Sequence, residues 1–333
     1  SRHQLVLNAL LLHHDAGAAS SPAQEEWCRK CSNFVDAAAR GYAGDKVPFH
    51  SWHHAVDVTA TLARLFKHCM VHKFLTETER FSLLVASTCH DIGHEGLNNA
   101  FLVASGHELA LRYNDRSPLE MYHCVHLFQI ARNPGAEIFD VLEKHQRTVA
   151  RRTIVEAIIF TDTQYHAEMV KELQTIQDLS GDLFDALEDV YHERPHEYPS
   201  QDVTDFMRRP DVRKLMKRSL LHFCDVAQPL KSWDTCEDLA ARQMDEFFRQ
   251  GDIEKELGLP VQPLNDRLRV SVPYTQVCYI QFLVAPLAMT MAKLMPPLGP
   301  SVEVMLENFD TWREMWVEDT DPPPSDFEQA RVM

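Results

Sequence analysis

The residues best suited to do chemistry in this sequence are histidines spaced four apart and aspartates that end apolar runs. His50 and His54 form one such pair, and His90 and His94 form another. On a helix, a spacing of four puts both rings on one face. Asp91 follows His90 directly, and the dipeptide comes soon after the apolar run Leu83–Val85. A third element repeats the pattern, because Leu220-Leu221-His222-Phe223-Cys224 ends in Asp225. Ionisable groups that cap buried segments need partners. A metal ion is one of the few that satisfies two imidazoles and a carboxylate together. One histidine pair alone would be ordinary surface decoration. Two pairs, an His-Asp dipeptide and a further helix-ending Asp point to a metal centre.

The elements that must position these groups read as helices. Val58, Leu62, Leu65 and Phe66 share a helical face. Thr76-Glu77-Thr78-Glu79 reads as a capping box before Phe81–Cys89, and Ser117-Pro118-Leu119-Glu120 as another. Residues 153–160, 211–224, 237–250 and 276–295 also have helical patterning, and only Arg269–Pro273 looks strand-like. The acidic stretch 180–205 reads as a loop region, and the tail after Asp319 as irregular. With 11 glycines, no Asn-Gly or Asp-Gly turn and no long linker, the expectation is one all-α domain over residues 1–333, its motif-bearing core at about 49–316.

Composition narrows the partners. The chain has 333 residues, is 45% hydrophobic, and carries a formal net charge of −16. No basic stripe stands out, so nucleic acid is not expected as a partner. An anionic substrate would have to be attracted locally, as a metal site would do. The eight cysteines form no disulfide framework, and Cys28-Arg29-Lys30-Cys31 lacks the second pair a zinc ribbon needs. A reducing, cytoplasmic setting fits. The longest apolar stretch, 279–292, is interrupted by Gln281 and Pro286 and reads as too short for a transmembrane segment. The sequence opens on Ser1 and reads as part of a longer protein with regulatory domains elsewhere.

The order His54, His90-Asp91, Asp225 resembles the HD metal-dependent phosphohydrolases. The longer string His90-Asp91-x-x-His94-x-x-x-x-Asn99 is similar to the motif of class I cyclic nucleotide phosphodiesterases. Further matches lie at Glu108–Asp115, Thr161-Asp162, Glu246–Asp252 and Gln276-Val277. The style is closest to cAMP-hydrolysing types, with details similar to a kinetoplastid type C member. The resemblance implies that His54, His90, Asp91 and Asp225 hold Zn²⁺. Asp91 would also reach a second ion, Mg²⁺ or Mn²⁺, held mostly by water. It implies attack by a metal-activated hydroxide, with His50 as general acid for the O3′ leaving group and Glu108 beside it. His94, Asn99, Thr161 and Asp162 would support the metals. Gln276 would read the purine, Tyr279 would stack on it, and Gln228 would line the same pocket. The implied reaction is hydrolysis of cAMP, with cGMP kept open as a second substrate, which ends a cyclic nucleotide signal.

Four positions depart from the family pattern. Phe49 stands where Tyr is usual, Gly93 where Asp is common, Gln228 where cAMP-selective types carry Asn, and Gln243 where an aliphatic residue is expected. The last two bear on purine selectivity. Competing readings are an HD-type nucleotidase, which needs no purine-reading pair and no O3′ acid, and a non-catalytic cyclic nucleotide sensor, which has no use for His50. A purely structural helical scaffold leaves the convergent histidines and carboxylates unexplained.

Overall fold

Why the chemistry sits where it does follows from one helix that is buried on every side. The computed structural model describes residues 2–12, 22–325, 328–329 and 331–332, and among them there is no strand. In chain order the helices are α1 (Arg2–Leu12), α2 (Pro22–Gly41), α3 (Trp52–His68), α4 (Glu77–Cys89), α5 (Asn99–Ala104), α6 (Glu108–Tyr113), α7 (Pro118–Ile130) and α8 (Lys144–Ile159). They continue as α9 (His166–Leu179), α10 (Gly181–Glu193), α11 (Gln201–Met207), α12 (Pro210–Asp225), α13 (Trp233–Glu256), α14 (Val272–Tyr279), α15 (Ala285–Leu294) and α16 (Gly299–Asp319). Contacts group them into two units, Ser1–Tyr165 with Thr204–Cys224, and His166–Val203 with Asp225–Met333. Neither unit is one continuous segment, so no linker in the sequence marks the division.

In the first unit α4 is the central helix, packed against α3, α7 and α8. Its residues from Phe81 to Cys89 are all buried. A helix that is apolar around its whole circumference belongs in a core. Burial of Leu83, Leu84 and Val85 contributes about 2 kcal/mol each. The polar members are satisfied locally: Ser87 and Thr88 donate to the Leu84 carbonyl at 2.9 and 2.8 Å. The expected capping box is present, with Thr76 accepting from the Glu79 N–H and Glu79 accepting from the Thr76 N–H. Glu79 has a second role. Its carboxylate takes Lys217 Nζ at 2.9 Å and Arg213 Nε at 3.5 Å, which ties the start of α4 to α12.

The second unit is built on a continuous helical stretch, Val272–Leu294, in which α14 and α15 flank a π-helical turn at Ile280–Val284. Pro286 lies in the first turn of α15, where its missing N–H disrupts regular α-helical bonding. This stretch packs on α9, α10 and α16. By length and composition it is long and apolar enough to cross a membrane, and 44% of its apolar window is buried in the protein. The interrupted apolar run in the sequence underestimates it, because Gln276 and Gln281 do not break the helix. Asn308 of α16 donates to the carbonyls of Pro229 and Lys231 at 2.8 and 2.7 Å and fixes the turn Gln228–Leu230. Gly251 lets α13 touch a loop, since a Cβ there would lie 2.0 Å from the Asn265 carbonyl oxygen.

Two local expectations are corrected. Arg269–Pro273 is not a strand: Ser271 caps α14 and Pro273 lies in its first turn. The stretch 180–205 is largely helical. Phe184, Leu187 and Val190 form the buried stripe of α10, and its acidic residues occupy the other faces.

Removing Lys217 leaves the buried Glu79 carboxylate short of its main partner. Lys217→Ala is expected to cost about 3 kcal/mol in urea unfolding, and the double change Glu79→Gln with Lys217→Gln to recover part of it. Burial alone would raise the Glu79 carboxyl, but Lys217, the Thr76 N–H and Arg213 hold it below its ordinary value. The pair's contribution is therefore present at neutral pH and lost as pH falls through that lowered value.

Candidate active site

His90 caps the C-terminus of α4, so the chain leaves the core with an imidazole and a carboxylate at the point of exit. A tight turn follows, in which Ile92 N–H bonds to the Cys89 carbonyl and His94 N–H to the Asp91 carbonyl. Gly93 makes this turn with φ +80, and a Cβ there would meet Tyr122 Cε1 at 2.7 Å. An Asp at 93 would be both strained and crowded here, which accounts for the departure at that position.

The four-residue spacings do bring the histidines together, but not on shared helical faces. His50 lies in the turn before Ser51, which precedes α3, and His94 lies beyond the turn after α4. The two rings stack at 4.1 Å with 22° between planes. Phe49 packs its ring on His54 at 4.6 Å and its edge on His50 at 4.9 Å, so its contribution is shape rather than a hydroxyl.

Asp91 is the hub. Its Oδ2 lies 3.0 Å from His90 Nε2 and 3.5 Å from His54 Nε2. His90 Nδ1 donates to the Ser87 carbonyl at 2.9 Å, which aims Nε2 at the cluster. Burial alone would push the Asp91 carboxyl up, but the imidazoles of His90, His50 and His54 hold it well below the usual carboxylate range. The division between the units falls at the Cys224–Asp225 peptide bond, inside α12, so Asp225 rides on a helix of the first unit. One ligand atom from each of His54, His90, Asp91 and Asp225 lies within 4.8 Å of the others. Two imidazole nitrogens and two carboxylates form a donor set that fits a divalent cation with positions left for solvent.

Around this quartet the first unit carries a hydrogen-bonded surround. Asn99 Nδ2 donates to Glu120 Oε2 at 2.9 Å and Asp162 Oδ2 at 3.2 Å, and its Oδ1 accepts from the Leu119 N–H at 3.0 Å. Thr161 turns its hydroxyl back to the Ile158 carbonyl at 2.7 Å. His94 Nδ1 accepts from the Gly96 N–H at 2.9 Å.

Two residues here were not singled out from sequence. Glu120 was read as half of a capping box. Instead Ser117 has φ +43 with no side-chain cap, and Glu120 turns inward to Asn99. Burial, then the nearby Asp162 and Asp91 charges, push its carboxyl up to about 8, against the opposing bond from Asn99. His123 is fully enclosed, and its Nδ1 donates to the Ile92 carbonyl at 2.8 Å. Burial lowers it to about 4. The signal was a Glu-x-x-His spacing, which puts both on one face of α7.

Glu108 is a correction. It sits at the start of α6 with its side chain 75% exposed, paired with Arg112 rather than with His50. Its spacing from Arg112 is that of an ordinary surface helical pair.

In the second unit, Gln228, Gln243 and Gln276 form a chain of amides. Gln228 Nε2 donates to Gln243 Oε1 at 3.2 Å and faces Gln276 Oε1 at 3.5 Å. Gln276 and Gln228 are buried. Tyr279 lies one turn beyond Gln276, and its hydroxyl donates to the Val226 carbonyl at 3.4 Å. Burial and the Asp225 charge raise that phenol far above its ordinary value, so the hydroxyl stays protonated.

A His/Asp cluster that could hold a metal ion, in a fold that is helical wherever the described residues form regular elements, suits a metal-dependent hydrolase. Residues 49–308 match the family model for 3'5'-cyclic nucleotide phosphodiesterases. The chain is 32% identical over 303 residues to a Drosophila melanogaster 3',5'-cyclic-AMP phosphodiesterase (isoform F), covering 89% of this chain and 42% of that protein. It is 33% identical over 253 residues to the Drosophila melanogaster dual specificity calcium/calmodulin-dependent 3',5'-cyclic nucleotide phosphodiesterase 1, covering 76% of this chain and 27% of that protein. The solved phosphodiesterase domain of Salpingoeca rosetta rhodopsin phosphodiesterase superposes with a TM-score of 0.75 at 26% identity, covering 86% of this chain and 80% of that one. The chain belongs to the 3'5'-cyclic nucleotide phosphodiesterase family. It spans less than half the length of the curated relatives it matches.

Glu120→Gln is expected to lower cyclic nucleotide turnover by about 10- to 100-fold, the scale seen for hydrogen-bonded groups around a metal site, because it alters the buried Asn99 network beside the cluster. Glu108→Gln should stay within about twofold of the unchanged protein, as expected for an exposed pair. Side-by-side kcat measurement checks both, and the reverse ranking would restore Glu108.

Proposed function

We propose that this chain hydrolyses 3',5'-cyclic nucleotides to 5'-nucleoside monophosphates, with cAMP as the main substrate and cGMP as a second. The observation that carries the proposal is the convergence of His54, His90, Asp91 and Asp225 beside the stacked His50. His54, His90, Asp91 and Asp225 would hold Zn²⁺, with Asp91 shared to a Mg²⁺ or Mn²⁺. When bound, these ions neutralise the phosphate and supply an activated water. Two nitrogen donors favour zinc at the first position, and an oxygen-rich, solvent-bearing second position favours the harder ion.

The chain's own groups do the rest. His50 stands at the edge of the cluster, half-buried, with its ring braced by Phe49 and His94. As the P–O3′ bond breaks and a new P–O bond to water forms, His50 gives a proton to O3′, which would otherwise leave as a poor alkoxide. Asn99 holds Glu120 and Asp162 in place, and the Ser87 carbonyl holds the His90 ring in the tautomer a ligand needs.

Gln276 and Gln228 would read the purine edge, and Tyr279, anchored through its hydroxyl, would present its ring to the base. Gln276 Oε1 faces Gln228, so its Nε2 donor is directed to the ligand. These amides are braced by one another rather than by main chain, so they can reverse as a set. That supports acceptance of guanine as well as adenine. No disulfide joins any of the eight cysteines, which supports a reducing, cytoplasmic setting.

The decisive measurement is release of 5'-AMP and 5'-GMP from the two cyclic nucleotides. Chelation should abolish both activities, and Zn²⁺ with Mg²⁺ should restore them. Asp225→Asn should lower kcat/KM by at least about a hundredfold. Gln228→Asn should raise the cAMP to cGMP ratio of kcat/KM by about tenfold, the scale of one polar contact. Full activity of Asp225→Asn would sink the metal assignment, and release of nucleoside from mononucleotides without cyclic nucleotide turnover would favour a nucleotidase.

A further inference from the structure

The chain carries 49 acidic and 33 basic residues, yet one groove on the first unit reverses that balance. The groove has a volume of about 1180 Å³ and runs the length of α8. α8 lines it with Lys144, Arg147, Arg151 and Arg152, and α12 with Arg213, Lys214 and Lys217. Among the described residues Glu156 is the only carboxylate in the lining. These cations come from two segments far apart in sequence, so no basic stripe is visible along the chain.

Four of the cations are already engaged. Lys217 and Arg213 pair with Glu79, Lys214 with Glu156 at 3.1 Å, and Arg147 with Asp140 at 3.8 Å. Among the described residues, Lys144, Arg151 and Arg152 have no carboxylate partner, and all three are exposed. Arg151 lies over the Phe128 ring at 4.5 Å, which fixes its guanidinium without neutralising it. Toward the C-terminal end of α8 the lining also includes the part-exposed Val155 and Ile159, on either side of the paired Glu156.

We propose that this groove docks a short, extended acidic peptide segment of a partner protein. Its carboxylates would sit on Lys144, Arg151 and Arg152, and an apolar side chain on Val155 and Ile159. The dimensions fit. The lining residues recur every three to four positions through Lys144–Ile159, which is roughly 22 Å at 1.5 Å per residue. About seven residues of extended chain cover that length. A compact polyphosphate would use only the unpaired cations and leave Val155 and Ile159 uncovered.

A long nucleic acid fits less well. The net charge of −16 repels a polyanion wherever it leaves the groove, and screening over ~10 Å spares only a short ligand. The rings that could stack on bases are covered, Phe128 by Arg151 and Phe160 by Arg218 at 4.3 Å. A lipid surface fits less well again, because the site is concave and no large, strongly exposed apolar side chain lies in its lining.

The test is fluorescence anisotropy with a labelled heptapeptide of four aspartates followed by a leucine, an alanine and a leucine. Parallel arms use tripolyphosphate, a single-stranded oligonucleotide and vesicles containing a phosphoinositide. The expected result is saturable peptide binding below about 1 mM that weakens with added salt. The charge reversal Lys144→Glu with Arg151→Glu and Arg152→Glu should weaken it at least about tenfold. The milder Lys144→Gln with Arg152→Gln should weaken it less, with the melting temperature and cyclic nucleotide turnover unchanged. Absence of saturation at about 1 mM, or equal affinity of the reversed variant, would overturn the proposal. So would a preference for the oligonucleotide, the vesicles or tripolyphosphate over the peptide.

Discussion

The structure depends on keeping the Asp91 carboxylate charged in a largely buried place. Asp91 lies at the end of α4, the most deeply enclosed helix of the first unit, and taking a lone carboxylate there would cost several kcal/mol. His90 and His54 offset that cost directly, at 3.0 and 3.5 Å. A divalent cation would offset it further and make the imidazoles ligands rather than counter-ions. The surrounding hydrogen bonds follow from that need. The Ser87 carbonyl fixes His90, the Ile92 carbonyl fixes His123, and Asn99 Nδ2 donates to both Glu120 and Asp162. Several of these groups are held by main-chain carbonyls or by one side-chain amide, which orders part of the cluster before any ligand arrives.

Much of this was legible in the sequence, for physical reasons that can be named. A metal quartet needs specific donor types, and no substitution of His90, Asp91 or Asp225 leaves the same chemistry, so those residues announce themselves. The helices announced themselves through their apolar spacing and, at Thr76 and Glu79, through reciprocal capping. The turn geometry was less legible. His50–His54 and His90–His94 have helical spacing, yet both pairs straddle a helix end, because Ser51 starts α3 and Gly93 bends the chain after α4. The outcome for the site is the same, since a turn can bring rings together as well as a helical face can.

Glu108 and Glu120 show where sequence reasoning runs out. Both lie in the first turn of a helix, where a carboxylate is favoured by the helix dipole, so local pattern cannot separate them. What separates them is burial. Glu108 has Arg112 one turn on and solvent around it, whereas Glu120 faces Asn99, 21 positions away in the sequence. Ser117, with its left-handed backbone and no cap bond, leaves Glu120 free to turn inward. The same limit hid the basic groove, whose cations belong to two helices that only the fold brings side by side.

The electrostatics of this protein are therefore local rather than global. A net charge of −16 would repel an anionic substrate and an acidic partner alike if the molecule were a uniform sphere. Screening at physiological salt confines exposed charges to about 8 Å, so what a ligand meets is the patch it touches. At the His/Asp cluster the cation a ligand would meet is a metal. In the groove along α8 it is a set of guanidinium and ammonium groups, three of them without a carboxylate partner among the described residues. An acidic surface then works in favour of selectivity, because anions are rejected everywhere that a built cationic site does not receive them.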